Sequence, residues 1–148
     1  MNYATVVPEL FSRFPALEVT YHAKFAYMKG DEPGPYLVFG SILIPALTTA
    51  LEDEDLGFIL PICAFLEDVS TAAQQENDLA TLMRVEVAEW LRWTANEERL
   101  APWLGSETKH ICNYVPGLAT QRLQLRSEEK ANTVTGRIAA AIKSLRAR

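Results

Sequence analysis

YLVFGSILIPALTTALEDEDLGFILPICAFLEDVSTAA, residues 36–73, is two long apolar runs divided by four consecutive acids. In the first run Leu37, Leu43, Ala46, Leu47 and Leu51 are apolar, and so are Val38, Phe39, Ile42 and Ile44. Apolar residues on nearly every side predict a buried helix over 36–51 in contact on several sides. Pro45 removes one hydrogen bond and predicts a kink there. In the second run Leu56, Ile59, Leu60, Cys63, Leu66 and Val69 follow helical spacing and are read as inward-facing, over 56–73. Pro61 falls in the second turn of that run, which leaves a later start open. Between the runs, Glu52, Asp53, Glu54 and Asp55 form a turn in which Asp55 is placed to cap the second helix. The pair reads as an antiparallel helical hairpin, and this hairpin sets the fold class as all-α.

The flanking segments extend the pattern. A short helix is predicted over 6–14, with Pro8 in its first turn, where a missing N–H costs nothing. Residues 16–28 are ambiguous: Leu17, Val19, Tyr21, Phe25 and Tyr27 alternate like a strand, while Leu17, Tyr21, Phe25 and Met28 fit a helical stripe. No strand partner is evident, so helix is preferred. KGDEPGP at 29–35 breaks the chain. Beyond a turn at 74–77, residues 78–93 place Leu79, Leu82, Met83, Trp90 and Trp93 on one stripe. A short helix is expected over 95–104 with Gly105 as its C′ residue, then another that Ser106 caps, running to about Tyr114. Residues 118–126 are indefinite, and Ser127 is placed to cap a last helix in which Ala131, Val134, Ile138, Ala141 and Leu145 form a narrow seam. The expectation is one domain over 1–148, a compact bundle or irregular repeat of about six to eight helices. Its basic C-terminal helix, 117–148, is expected to dock on the bundle.

Composition bounds the function classes. The chain has 148 residues, 49% hydrophobic and 22% charged, an ordinary globular balance. Its N-terminus lacks the basic start and apolar run of a signal peptide. The uncharged stretch 34–51 contains Pro45, Gly40, Ser41, Thr48 and Thr49 and has acidic flanks, so a membrane anchor is not expected. Cys63 and Cys112 lie in apolar helical segments with no C-x-x-C pair, and are read as buried reduced thiols. That reading implies a reducing, cytoplasmic setting.

Charge is unevenly spread. Residues 31–98 carry 14 acids against two bases, Arg84 and Arg92, a net of −12; residues 99–148 carry three acids against nine bases, a net of +6. The central field repels nucleic acid and attracts a basic protein surface. A solvated acidic face kept for solubility is the competing reading. The bases of residues 122–148 are dispersed and lack interleaved aromatics, so nucleic-acid binding is discounted.

No phosphate-binding glycine loop, dinucleotide fingerprint or nucleophile elbow is present. Only His22 and His110 are imidazoles, and Cys112 sits two residues from His110, on a different helix face. Glu107 and His110 form one E-x-x-H, whereas a carboxylate-bridged di-metal bundle needs two. With Glu67 and Glu86 as further carboxylates, a metal-carboxylate enzyme is the alternative from another class; no cofactor is expected on the main reading. Glu67 and Glu86 interrupt apolar stripes, and such carboxylates find partners or shift their pKa. Either is bonded to a neighbouring helix end or an arginine, or serves as an acidic hot spot. Trp90, Trp93 and Trp103 lie near Glu89, Glu97 and Glu98, an aromatic-plus-acid combination that grips basic partners, although Trp90 reads as core.

Several strings resemble a known pattern when taken together: Phe14-Pro15, Tyr21-His22, PYLVFG at 35–40, Phe65-Leu66-Glu67, VEVAEWL at 85–91 and LGSET at 104–108. They resemble an uncharacterised family of small bacterial all-helical proteins similar to immunity proteins of polymorphic-toxin systems. The resemblance spans roughly Phe14 to Tyr114 and leaves the tail after Pro116 uncovered. It implies a helical binding protein without activity of its own. The expected contact residues are Glu52, Asp53, Glu54, Asp55, Glu67, Asp68, Glu86, Glu89, Trp93, Glu97 and Glu98. The expected partner is a protein toxin with a basic surface, not nucleic acid or membrane. A scaffold or regulatory helical-repeat module that forms a homodimer through Ala131–Leu145 is a third reading.

Overall fold

A computed structural model describes the backbone of residues 1–28, 30–93 and 96–146, and their side chains except at 93, 119, 120, 122 and 139–146. The chain is 75% helical, with eight helices and no strand among the described residues. They are α1 (Val6–Arg13), α2 (Pro15–Lys24), α3 (Pro35–Glu52), α4 (Leu56–Ala72), α5 (77–93), α6 (Asn96–Leu100), α7 (Ser106–Ile111) and α8 (Leu118–Arg146). The ambiguous segment 16–28 is helical over Pro15–Lys24, with Pro15 at its first position.

The α3–α4 hairpin forms as expected, and Asp55 Oδ1 accepts from Phe58 N–H at 3.3 Å to cap α4. Pro61 therefore does not delay the helix, which starts at Leu56. The end of α3 closes through a left-handed residue. Glu54 has φ 55°, Asp55 N–H donates to Ala50 C=O at 2.8 Å, and Glu54 N–H to Leu51 C=O at 3.4 Å. This is the usual double closure of a helix C-terminus, with glutamate where glycine is the preferred residue.

Burial differs from the predicted stripes in instructive ways. In α3 Val38, Phe39, Ile42, Leu43, Leu47, Ala50 and Leu51 are buried, but Leu37 and Pro45 are exposed. The helix thus buries one broad face rather than all sides. In α4 Ile59, Ile62, Cys63, Phe65, Leu66 and Val69 face the core, whereas Leu56 and Leu60 are 45% and 47% exposed, contrary to the inward assignment. Both leucines sit on the first turns of α4.

Two insertions explain further departures. Phe39–Leu43 within α3 and Met83–Ala88 within α5 are π-helical. A π turn adds one residue to the ladder and rotates everything after it. In α5 the buried positions after Met83 become Val87, Ala88 and Leu91 in place of Trp90, while the side chain of Trp93, which the uninterrupted period also turns inward, lies outside the described residues. Trp90 is half-buried against the core. In α3 the π turn precedes Pro45, which has no N–H to offer the Ser41 carbonyl four residues back. Lys24 Nζ supplies the donor instead, at 3.0 Å.

The core is ring-rich. Phe65 of α4 meets Phe14 edge-on at 6.1 Å and Phe39 at 6.4 Å, tying α3 and α4 to the α1–α2 corner. Toward the C-terminus two assignments need correction. Gly105 is not a C′ residue: it, and not Ser106, is the N-cap of α7, with φ −71°. Ser127 does not start a helix, because α8 already runs through it from Leu118 and its hydroxyl bonds back to Leu123 C=O. The start of α8 packs against the C-terminal turn of α5 and against α6. Along the rest of its described length the side chains from Leu123 to Ile138 are exposed, so the expected docking of 117–148 is confined to the helix start among the described residues.

Candidate binding surface at the acidic turn

The four acids Glu52, Asp53, Glu54 and Asp55 are all exposed, and they form a ridge at one end of the hairpin. The closure that places them is local: the α3 C-terminus folds back through Glu54, and Asp55 opens α4. Each side of the ridge borders a groove. One, about 480 Å³, is lined by Glu54 with Leu51, Leu56, Ile59, Glu98, Arg99, Pro102 and Trp103. The other, about 450 Å³, includes Asp53 and Asp55 with Leu17, Pro45 and Phe58.

The first groove combines carboxylates with apolar surface. Glu54 and Glu98 sit in the same lining as the Trp103 ring and the exposed Leu56. Arg99 is the base in this lining, and its guanidinium donates to the Leu51 carbonyl at the last turn of α3. There it satisfies an orphan acceptor and complements the helix dipole. Glu98 accepts from Gly117 N–H, which fixes the carboxylate and caps α8. A carboxylate pair beside an indole and leucines can hold a basic side chain by charge and its alkyl stem by packing.

The remaining predicted contact residues separate into different places. Glu67 is half-buried on α4 and is bonded to a neighbouring helix end. Oε1 accepts from Glu107 N–H at 2.9 Å, and Oε2 accepts from Thr108 N–H at 2.9 Å and Thr108 Oγ1 at 2.8 Å. Burial alone would raise the Glu67 carboxyl, but these donors, with Ser106, outweigh it and hold the pKa below the ordinary value. This carboxylate is the cap that α7 lacks in its own sequence. A Cβ at Gly105 would collide with it, which is why the α7 N-cap is glycine.

Asp68 pairs with Arg13 at 2.5 Å, and the same guanidinium lies over the Phe65 ring at 5.5 Å. Glu86 lies in the middle of the π turn of α5, packed against the backbone of Gly40 in the π turn of α3; a Cβ at Gly40 would stand 2.5 Å from its Oε2. Burial first, and the Glu89 charge second, push the Glu86 carboxyl above its ordinary pKa. Glu97 is only 4% exposed, so it cannot present its charge to a partner as predicted. Glu89 is exposed, and the Trp93 side chain lies outside the described residues. Thus, among the described side chains of that set, Glu52–Asp55 and Glu98 come together.

Cys63 and Cys112 are buried free thiols, and burial pushes them up to about 11 and about 12, a range unsuited to nucleophilic thiolate chemistry. Among the described residues no three His, Cys, Asp or Glu side chains group as metal ligands. Glu107 is within reach of Glu67's helix, but its carboxylate accepts from Gln74 Nε2 at 2.6 Å. α3 is long and apolar enough to cross a membrane by length and composition, yet 39% of that window is buried within the bundle.

Trp103 and Glu98, set side by side in the sequence reading as an aromatic-plus-acid combination, share the groove, whereas the exposed Leu56 had been read as inward-facing. The available signal was Leu56 and Leu60 at i, i+4, a face of their own beside the acids. In comparisons with known proteins, no family model matches the chain, and neither a curated protein nor a solved structure is significantly similar to it.

Proposed function

We propose that this protein is a non-enzymatic binding protein of immunity type, which neutralises a cognate bacterial toxin in the cytoplasm by covering a basic surface. The observation that carries this reading is the exposed acidic ridge Glu52–Asp55, bordered by a groove that adds Glu98, Trp103 and Leu56. Toxins that act on nucleic acids carry basic clefts because their substrate is anionic. An acidic ridge speeds encounter with such a cleft, and the apolar groove beside it supplies the short-range packing that slows release.

The test pairs the chain with the toxin encoded beside its gene. Changing Glu52, Asp53, Glu54 and Asp55 to lysine is expected to cut the association rate at low salt by about tenfold or more, and to abolish rescue of toxin-expressing cells. An unchanged association rate at low salt removes this surface from the account.

A second reading, self-association, rests on α8. Val134 and Ile138 are 56% and 55% exposed on a helix of 29 residues. A helix of that length gains stability by pairing a seam, here Ala131, Val134 and Ile138, with a second copy.

A further inference from the structure

At the N-terminal end of α3 lies a cleft of about 900 Å³, built by α1, α2 and the chain entering α3. Its walls are rings and prolines. Phe11 and Tyr21 lie 5.0 Å apart between ring centroids, and Tyr3 stands across from them beside Tyr36 at 6.2 Å. Pro8, Pro15, Pro33 and Pro35 line it as well. Two carboxylates, Glu18 and Glu32, face into it, and no lysine or arginine lines it among the described residues. A smaller cavity of about 380 Å³ shares Tyr21, His22, Glu32 and Pro33 with it and adds Asp31. The Glu32 charge reaches the Tyr21 hydroxyl, whose pKa is raised by burial first and by Glu32 second.

We infer that this cleft binds a small amphipathic organic cation, with its apolar body against the Phe11 and Tyr21 rings and its ammonium or amidinium group toward Glu18 and Glu32. Three features select that chemistry. The volume suits a small molecule. Ring faces and carboxylates both favour a cation, and such faces attract it more strongly where water is excluded. The four prolines carry no N–H, so these walls are poor in the main-chain donors that an extended peptide requires. Glu18 is half-exposed and held by His22 at 3.8 Å, a weak contact that a ligand cation can replace. The cleft and the acidic ridge draw on different residues: Glu52–Asp55 do not line the cleft, although α2 borders both it and the groove beside Asp53 and Asp55.

The experiment uses three matched probes on the full chain, followed by amide chemical shifts: benzamidine, benzamide and benzoate. Benzamidine is expected to give saturable shifts in α1, α2 and residues 31–35. Benzamide should bind about five- to tenfold more weakly, and benzoate should give no saturable shift. Changing Glu18 and Glu32 together to glutamine should reduce benzamidine binding to the level of benzamide, in a protein whose spectrum remains folded. The variant with lysine at 52–55 should bind benzamidine as the natural chain does, which keeps this site distinct from the ridge. Equal binding of benzamide and benzamidine would overturn the inference, as would shifts confined to the ridge. A short arginine peptide that saturates the cleft below the benzamidine concentration would overturn it in favour of a polypeptide groove.

Discussion

Glu67 and Glu86 show how far two carboxylates of the same type can diverge. Glu67 is ionised and held by three helix N–H and hydroxyl donors, while Glu86 is pressed against Gly40 and disfavoured as an anion. Their pH dependences therefore carry opposite signs. The Glu67 pKa is lowered on folding, so its stabilisation is fully present above the unfolded value, about 4.5, and is lost as pH falls through the lower folded value. The Glu86 pKa is raised on folding, so its cost is absent at low pH and grows as pH rises from about 4.5 through the folded value. Urea unfolding across pH 3–7 should show Glu67→Gln destabilised by about 1–2 kcal/mol near neutrality, with a gap that closes in acid. Glu86→Gln should be as stable as the natural chain or more so at pH 7, with no difference below pH 4. The glycines opposite them should diverge as well. Gly105→Ala forces a carboxylate already fixed by hydrogen bonds to leave, at about 2–3 kcal/mol. Gly40→Ala moves only the free end of Glu86 and gains helix propensity, so it should lie within about 1 kcal/mol of the natural chain.

Among the elements, the helices whose ends are marked in the chain were the most legible. Asp55 as cap, the acidic turn and the hairpin around it follow from side chains that act on their own neighbours. The π turns were not legible, because no residue type announces them; Gly40 and Pro45 only permit the distortion in α3. Their effect on register is large, since one inserted residue exchanges Trp90 for Leu91 at the core. The turn itself offers a direct check. Replacing left-handed Glu54 by glycine removes a Cβ penalty and one of four crowded charges. Glu54→Gly should raise the unfolding free energy by about 0.5–1 kcal/mol in urea melts, and if the residue serves the partner surface, it should at the same time weaken toxin binding.

For the molecule as a whole, charge and shape divide between a bundle that carries the acids and an extended helix rich in bases. The long α8 with its exposed seam predicts a concentration-dependent mass. Sedimentation equilibrium should show the 16.5 kDa chain approaching twice that mass at high concentration, and Val134→Asp with Ile138→Asp should return it to a monomer. A monomeric natural chain at the highest concentration would remove the seam as an interface. The all-helical class, the central hairpin, the exposed acids at its tip and the buried cysteines were readable from periodicity and composition, because those properties arise between residues close along the chain. Which carboxylate caps α7, where each helix rotates at its π turn, and which acids share a groove with Trp103 depended on how helices far apart in sequence meet. Spacing along one helix carries no information about a donor supplied by another, so these features became visible only when the helices were packed together.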